Sequence, residues 1–147
     1  MDNILYVAFK GTNNSSYQLV KQMNIAAFYI TNSFAGVRRD IDSLPMSYEK
    51  IVMFGLDKAL HETIRFEKVA QKDGRELHTT MDVTPYLNRA KQNNVMYTIS
   101  EIPTMYLCNE AYFYMLNKMT CPVLFVHIPS MQHMSDGFFE RLKRVFE

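Results

Sequence analysis

Cys108 stands at the join between an extended, strand-like stretch (96–105) and an apolar-periodic helix (109–119), and a later β-run over 123–127 ends in His127. A thiol at the start of a helix feels unpaired N–H groups and the positive end of the helix dipole, and both favour the thiolate. An imidazole delivered by a neighbouring strand end can act as its base. The pair predicts nucleophilic cysteine chemistry, with His127 taking the thiol proton and returning it to a leaving amine. It also predicts a Cys108 pKa below the free-thiol value of about 8.5, and alkylation near neutral pH. Cys121, beside Pro122 in a turn, reads as structural.

The elements that must position this pair are short. Strands are expected over 4–9, 25–30, 51–54, 64–70, 95–100 and 123–128. Helices are expected from Ser15 or Ser16 to Met23, over 82–91 with Asp82 as cap, over 109–119, and from Ser135 or Asp136 through Val145. Residues 31–47, with Gly36, Arg38-Arg39 and Pro45, read as irregular, Gly55 as a turn residue, and 72–75 as a turn. In the fourth strand Ile64 and Phe66 alternate with Arg65 and Glu67, a pattern whose polar face is ordinarily solvated. Strands alternating with helices predict an α/β fold, a mostly parallel twisted sheet covered on both faces. Active sites of such sheets gather beyond the carboxyl ends of the strands, and Phe9, Cys108 and His127 all fall near such ends.

The bulk properties narrow the function classes. A chain of 147 residues, 48% hydrophobic and 21% charged, is expected to form one soluble domain over 1–147. A net charge of +1 offers no electrostatic case for nucleic acid or an anionic membrane. No apolar run reaches membrane-spanning length, and Asp2 and Lys10 interrupt a signal-peptide reading. Two cysteines, one at a chemically suggestive place, read as free thiols in a reducing cytoplasm. No metal-ligand spacing, phosphate loop or dinucleotide fingerprint occurs, so neither metal nor cofactor is expected.

Thr104-Met105-Tyr106-Leu107-Cys108-Asn109 and Phe125-Val126-His127-Ile128-Pro129 resemble the nucleophile and histidine segments of pyroglutamyl peptidase type I, the pyrrolidone-carboxylate peptidase family of cysteine peptidases. Glu67-Lys68-Val69-Ala70 resembles the family's glutamate segment, so Glu, Cys and His arrive in the family's order. The opening run ending in Phe9 and the later Asn14-Ser15-Ser16 are similar to its first strand and first helix start. The resemblance implies a three-layer αβα sandwich of the phosphorylase/hydrolase type. It further implies a Cys108–His127–Glu67 triad in which Glu67 fixes the imidazole tautomer, and a small peptide or acyl-amide substrate; a homo-oligomer stays open. Asn109, through its backbone N–H, is assigned to the oxyanion, while Phe9 and Asp57 are assigned to the substrate pocket.

Departures from the family sit in the pocket loops. The first loop is reduced to Phe9-Lys10-Gly11, the glycine-rich turn after the middle strand is Gly55-Leu56-Asp57-Lys58-Ala59, and Pro103 lies on the approach to Cys108. The family is also longer, and the missing length is expected between Ile30 and Ile51, at the cost of a helix, and between Arg75 and Asp82. Two functions are therefore carried forward. One is a cysteine hydrolase removing an N-terminal pyroglutamyl or similar small acyl group through a thioester. The other is a degenerate relative that keeps the fold and serves as a binding or interaction protein.

Overall fold

A computed structural model describes residues 3–147, so the sequence reading at Asp2 lies outside the described residues. The chain begins with β1 (Ile4–Phe9), α1 (Ser15–Gln22), β2 (Ala27–Ile30), α2 (Phe34–Asp42) and β3 (Lys50–Leu56). There follow β4 (Thr63–Glu67), a hairpin of β5 (Val69–Lys72) and β6 (Arg75–His78), α3 (Thr84–Gln92) and β7 (Met96–Ser100). It closes with α4 (Tyr106–Lys118), β8 (Val123–Ile128), a short 3-10 turn over Met131–His133 and α5 (Asp136–Phe146).

Six strands form one sheet in the order β2-β1-β3-β8-β4-β7. β2, β1, β3 and β8 are parallel, whereas β4 runs antiparallel to β8 and parallel to β7. The sheet is thus mostly parallel, with its last two strands reversed. Odd-numbered residues of β1, β3 and β8 (Leu5, Val7, Ile51, Met53, Val123, Phe125) face α2 and α4, and even-numbered ones (Tyr6, Val52, Phe54, Leu124, Val126) face α1, α3 and α5. This is the period of two of an extended chain buried on both sides.

The structure corrects several local expectations. Residues 31–47 contain α2, capped by the Ser33 hydroxyl accepting from Gly36 N–H and anchored by buried Val37 and Ile41, four residues apart. Its apolar stripe is too narrow, and Gly36 too poor a helix former, to stand out in the sequence. A helix is therefore present where the resemblance implied a missing one. The expected strand over 64–70 is two strands, because the chain leaves the sheet at Lys68 to build the hairpin. Asp73 and Gly74 turn that hairpin with φ of +51° and +78°, the left-handed pair of a type I′ turn. Asp82 is not the cap of α3: Val83 holds that position, and the Asp82 carboxylate accepts from Thr84 N–H at 3.0 Å. Gly55 is not a turn residue but lies inside β3.

Candidate active site

β4 places Ile64 and Phe66 in the aromatic core and turns Arg65 and Glu67 to the opposite face, under α4. The alternation seen in the sequence holds, but its polar face is not solvated, and Glu67 is 1% exposed. Arg65 pairs in register with His127 across the antiparallel β4–β8 ladder, and Gly55 of β3 pairs with His127 from the other side. His127 is therefore flanked on one sheet face by a charged residue and by a residue with no side chain.

Three polar groups meet at Glu67. His127 Nδ1–H donates to Glu67 Oε2 at 2.7 Å, and Arg65 Nε donates to the same oxygen at 2.5 Å. An ionised carboxylate only accepts, so this contact assigns the proton of a neutral His127 to Nδ1 and leaves Nε2 as the basic nitrogen. The backbone of Glu67 is held as well. Its carbonyl accepts from the hydroxyl of Tyr112, one helical turn beyond Cys108, which ties the helix carrying the thiol to the strand carrying the carboxylate.

Cys108 comes over the same spot from above. A β-carbon added at Gly55 would lie 2.8 Å from Cys108 Sγ and 2.7 Å from the Phe125 ring. The sulfur thus occupies the space that the missing side chain leaves, beside the strand position that holds His127. Cys108 and His127 also line one cavity of about 530 Å³. Its other walls are Leu56 at the end of β3, Asp57 and Lys58 after it, and residues 104–107 before the thiol. A second cavity of about 460 Å³, lined by Thr12, Asn13, Gln18, Ser130, Met131 and Gln132, shares Leu56 and Lys58 with the first.

α4 begins at Tyr106, so Cys108 is its third residue and not the residue before it. Because β7 runs opposite to the parallel strands, the chain must return through residues 101–105 to reach this point. Asn109 is then the fourth helical residue, the first whose N–H can reach an intrahelical carbonyl, and the free amides at the helix start are those of residues 105–108. The Asn109 side chain is engaged elsewhere: its Oδ1 accepts from Gln71 N–H at 3.0 Å, and its Nδ2 donates to Gln71 O at 2.7 Å. Asn109 thus fastens the hairpin to α4, and the amides of Leu107 and Cys108 are better placed for an oxyanion. Tyr106 enters the helix at φ +62°, a left-handed conformation costly for a residue with a side chain, and its ring is 79% exposed.

The electrostatics depart from expectation. The Cys108 thiol is not lowered but pushed up to about 12. Burial is the chief cause, and the carboxylates of Glu67 and Asp57 add to it while Arg65 opposes it. One helix terminus does not outweigh desolvation beside two anions. Burial and these carboxylates favour the protonated sulfur over the thiolate.

The remaining predicted residues fall in different places. Asp57, just past β3, lines the larger cavity, accepts from Arg65 Nη2 at 2.8 Å through Oδ2, and accepts from Ala59 N–H at 2.9 Å through Oδ1. Burial disfavours its charge, but these hydrogen bonds prevail and hold its carboxyl below the usual range. Phe9 is buried in the core beneath α2 and lines neither cavity; its N–H donates to the Ser16 hydroxyl. Among the described residues, no cluster of three histidine, cysteine or acidic side chains could hold a metal ion. No described helix is long and apolar enough to cross a membrane.

Two participants escaped the sequence reading. Arg65 looked like one more charge on a solvated strand face. Gly55 carried a usable signal, since a glycine at the end of an apolar strand often marks a close approach by another group.

Solved structures share this architecture. Pyrrolidone carboxyl peptidase from Thermus thermophilus superposes with a TM-score of 0.78 at 16% identity, over 97% of each chain. The chain has the fold of these peptidases. Pyroglutamyl peptidase I from Bacillus amyloliquefaciens matches with a TM-score of 0.76 at 16% identity, over 99% of this chain and 95% of that one. The pyrrolidone carboxyl peptidase from Thermococcus litoralis gives 0.74 at 16% identity, over 99% and 91%. No protein-family model matches the sequence, and neither does any curated protein.

Proposed function

We propose that the protein is a cysteine hydrolase of peptidase type, cleaving the amide of a small peptide or acyl amide through a thioester at Cys108. The observation that carries this reading is that Cys108 and His127 line one cavity, the sulfur seated against Gly55 beside the strand position of an imidazole that is hydrogen-bonded to Glu67. Cys108 Sγ bonds to the substrate carbonyl carbon as its proton passes to His127 Nε2. The carbon–nitrogen bond then breaks, the amine leaves with that proton, and water hydrolyses the thioester to acid and free thiol. The amides at the start of α4 stabilise the transient oxyanion.

The acyl group is the finer part of the proposal. An N-terminal pyroglutamyl residue is what the fold's solved examples suggest by their names. In this chain Thr12 and Asn13 of the first loop and Gln18 of α1 line the second cavity, which adjoins that of the thiol at Leu56 and Lys58, while Asp57 and Lys58 add charge to the wall of the first. A small uncharged ring is poorly matched to such walls. Weak turnover of pyroglutamyl-aminocoumarin is therefore expected, with faster turnover of amides bearing a more polar acyl group. The elevated thiol favours a second reading, a protein that binds such ligands without cleaving them. Incubation with a panel of acyl-aminocoumarins, followed by intact mass measurement, separates the two. A thioester adduct at Cys108 with released fluorophore, lost in Cys108→Ala and His127→Ala, supports the hydrolase. Saturable binding with neither adduct nor release would leave only the binding reading.

A further inference from the structure

The ion pair between Asp57 and Arg65 belongs to no part of the resemblance, yet it is joined to the triad by a shared oxygen. Arg65 Nε and His127 Nδ1 both donate to Glu67 Oε2, at 2.5 and 2.7 Å, while Arg65 Nη2 reaches Asp57 Oδ2 at 2.8 Å. Asp57 is itself fixed by the Ala59 amide, and its N–H donates to Ile128 O at the end of the strand that carries His127. One guanidinium therefore ties the turn after β3 to β4, at the level where β8 presents the imidazole. Resting on the reading of Cys108 and His127 as a nucleophile and base, we infer that Arg65, anchored by Asp57, is a positioning residue. It aims the Glu67 carboxylate at His127 Nδ1 and offsets one of the two negative charges beneath the thiol.

The charges facing the pair are few enough to name. Glu67 and Arg65 come from β4, Asp57 and Lys58 from the turn after β3, and α4 contributes the phenols of Tyr106 and Tyr112. Without Arg65, two carboxylates face Cys108 with no cation bonded to them. That would disfavour the thiolate further, as the opposing action of Arg65 on the thiol already indicates. A guanidinium is suited to the task because its planar fork spans two carboxylates, whereas an ammonium holds its charge at one point.

The test is the pH profile of Cys108 alkylation by iodoacetamide, followed by peptide mapping with Cys121 as internal reference. In Arg65→Gln the rising limb is expected to be displaced upward by about one pH unit, a roughly tenfold slower reaction at a fixed pH. Arg65→Lys keeps the charge but not the span, so its rising limb should be displaced by less, a severalfold slower reaction at the same pH. Should Arg65→Gln not fold, Arg65→Lys decides alone: a rising limb that coincides with the parent's overturns the inference. An unmoved Arg65→Gln profile, where His127→Ala shifts its own, overturns it as well and leaves the Cys108–His127 reading intact. A profile that His127→Ala also leaves unmoved overturns that underlying reading, and the inference with it.

Discussion

The two faces of the sheet are built from alternate residues of the same strands, yet they bury different things. Under α1, α3 and α5 lie stacked and tilted aromatic rings, with Phe146 edge-on to Phe54 at 4.8 Å and close to Tyr86 at 5.5 Å. Under α2 and α4 the core is aliphatic and aromatic toward β1, but toward β4 it encloses Glu67, His127 and the partly buried Arg65. The first face needs only volume and shape. The second works only if each buried charge keeps its partner, since an unpaired one costs several kcal/mol. Stability and chemistry are thus divided between the faces, which makes them separable by mutation.

The largest effect should come from the aromatic face. Phe146→Ala removes a ring that is 1% exposed and should cost about 3–5 kcal/mol in urea unfolding, with the pH profile of Cys108 alkylation unchanged well below the transition. A shifted profile would show that the faces are not independent. On the other face, Glu67→Gln keeps the shape but takes the charge from both Arg65 and His127. It should cost about 2–3 kcal/mol and also suppress acylation, an effect on chemistry that Phe146→Ala lacks. Gly55→Ala sharpens the contrast, because its new methyl would press on both Cys108 and Phe125. A cost of about 1–3 kcal/mol is expected, together with altered Cys108 reactivity.

Titration gives a smaller signature. The folded protein keeps the Cys108 proton that the unfolded chain releases near pH 8.5, so stability should decline as pH rises from there toward about 12. Cys108→Ala should flatten that decline, and an equal slope in both proteins would count against a buried thiol. Asp57, held below its ordinary range, contributes in the opposite direction. Its stabilisation is present above about pH 4 and lost as pH falls further, and Asp57→Asn should remove that component. The least effect is expected for Asn109→Ala, which frees the hairpin from α4 at roughly 0.5–1.5 kcal/mol without slowing alkylation.

Much of this was legible from residues alone. The apolar runs of β1 and β8, the Ser135 cap and the Asp73-Gly74 turn announce themselves because local chemistry dictates them. A helix start near Cys108 and a strand end near His127 were visible for the same reason, although the helix begins two residues before the cysteine. What stayed hidden depends on partners far along the chain. The reversal of β4 and β7 leaves no trace in their composition, and Arg65 differs from a surface arginine only by what lies opposite it. The thiol's ionisation was misread because the helix start is written in the sequence, whereas the two carboxylates beneath the sulfur arrive from other strands.

The place of β8 in the sheet has a consequence for how the protein comes into being. β8 is inserted between β3 and β4, which precede it by a large part of the chain, so neither has its full set of neighbours until β8 is made. A nascent chain emerging from the ribosome would hold Arg65, Glu67 and then Cys108 while still lacking His127. Such a chain lacks the base that the proposed hydrolysis needs, and its open strand edges invite association with other chains. Closure of the sheet and delivery of His127 to Glu67 are one event, late and dependent on distant pairings, so acquisition of the proposed acylation should trace the slowest step of folding.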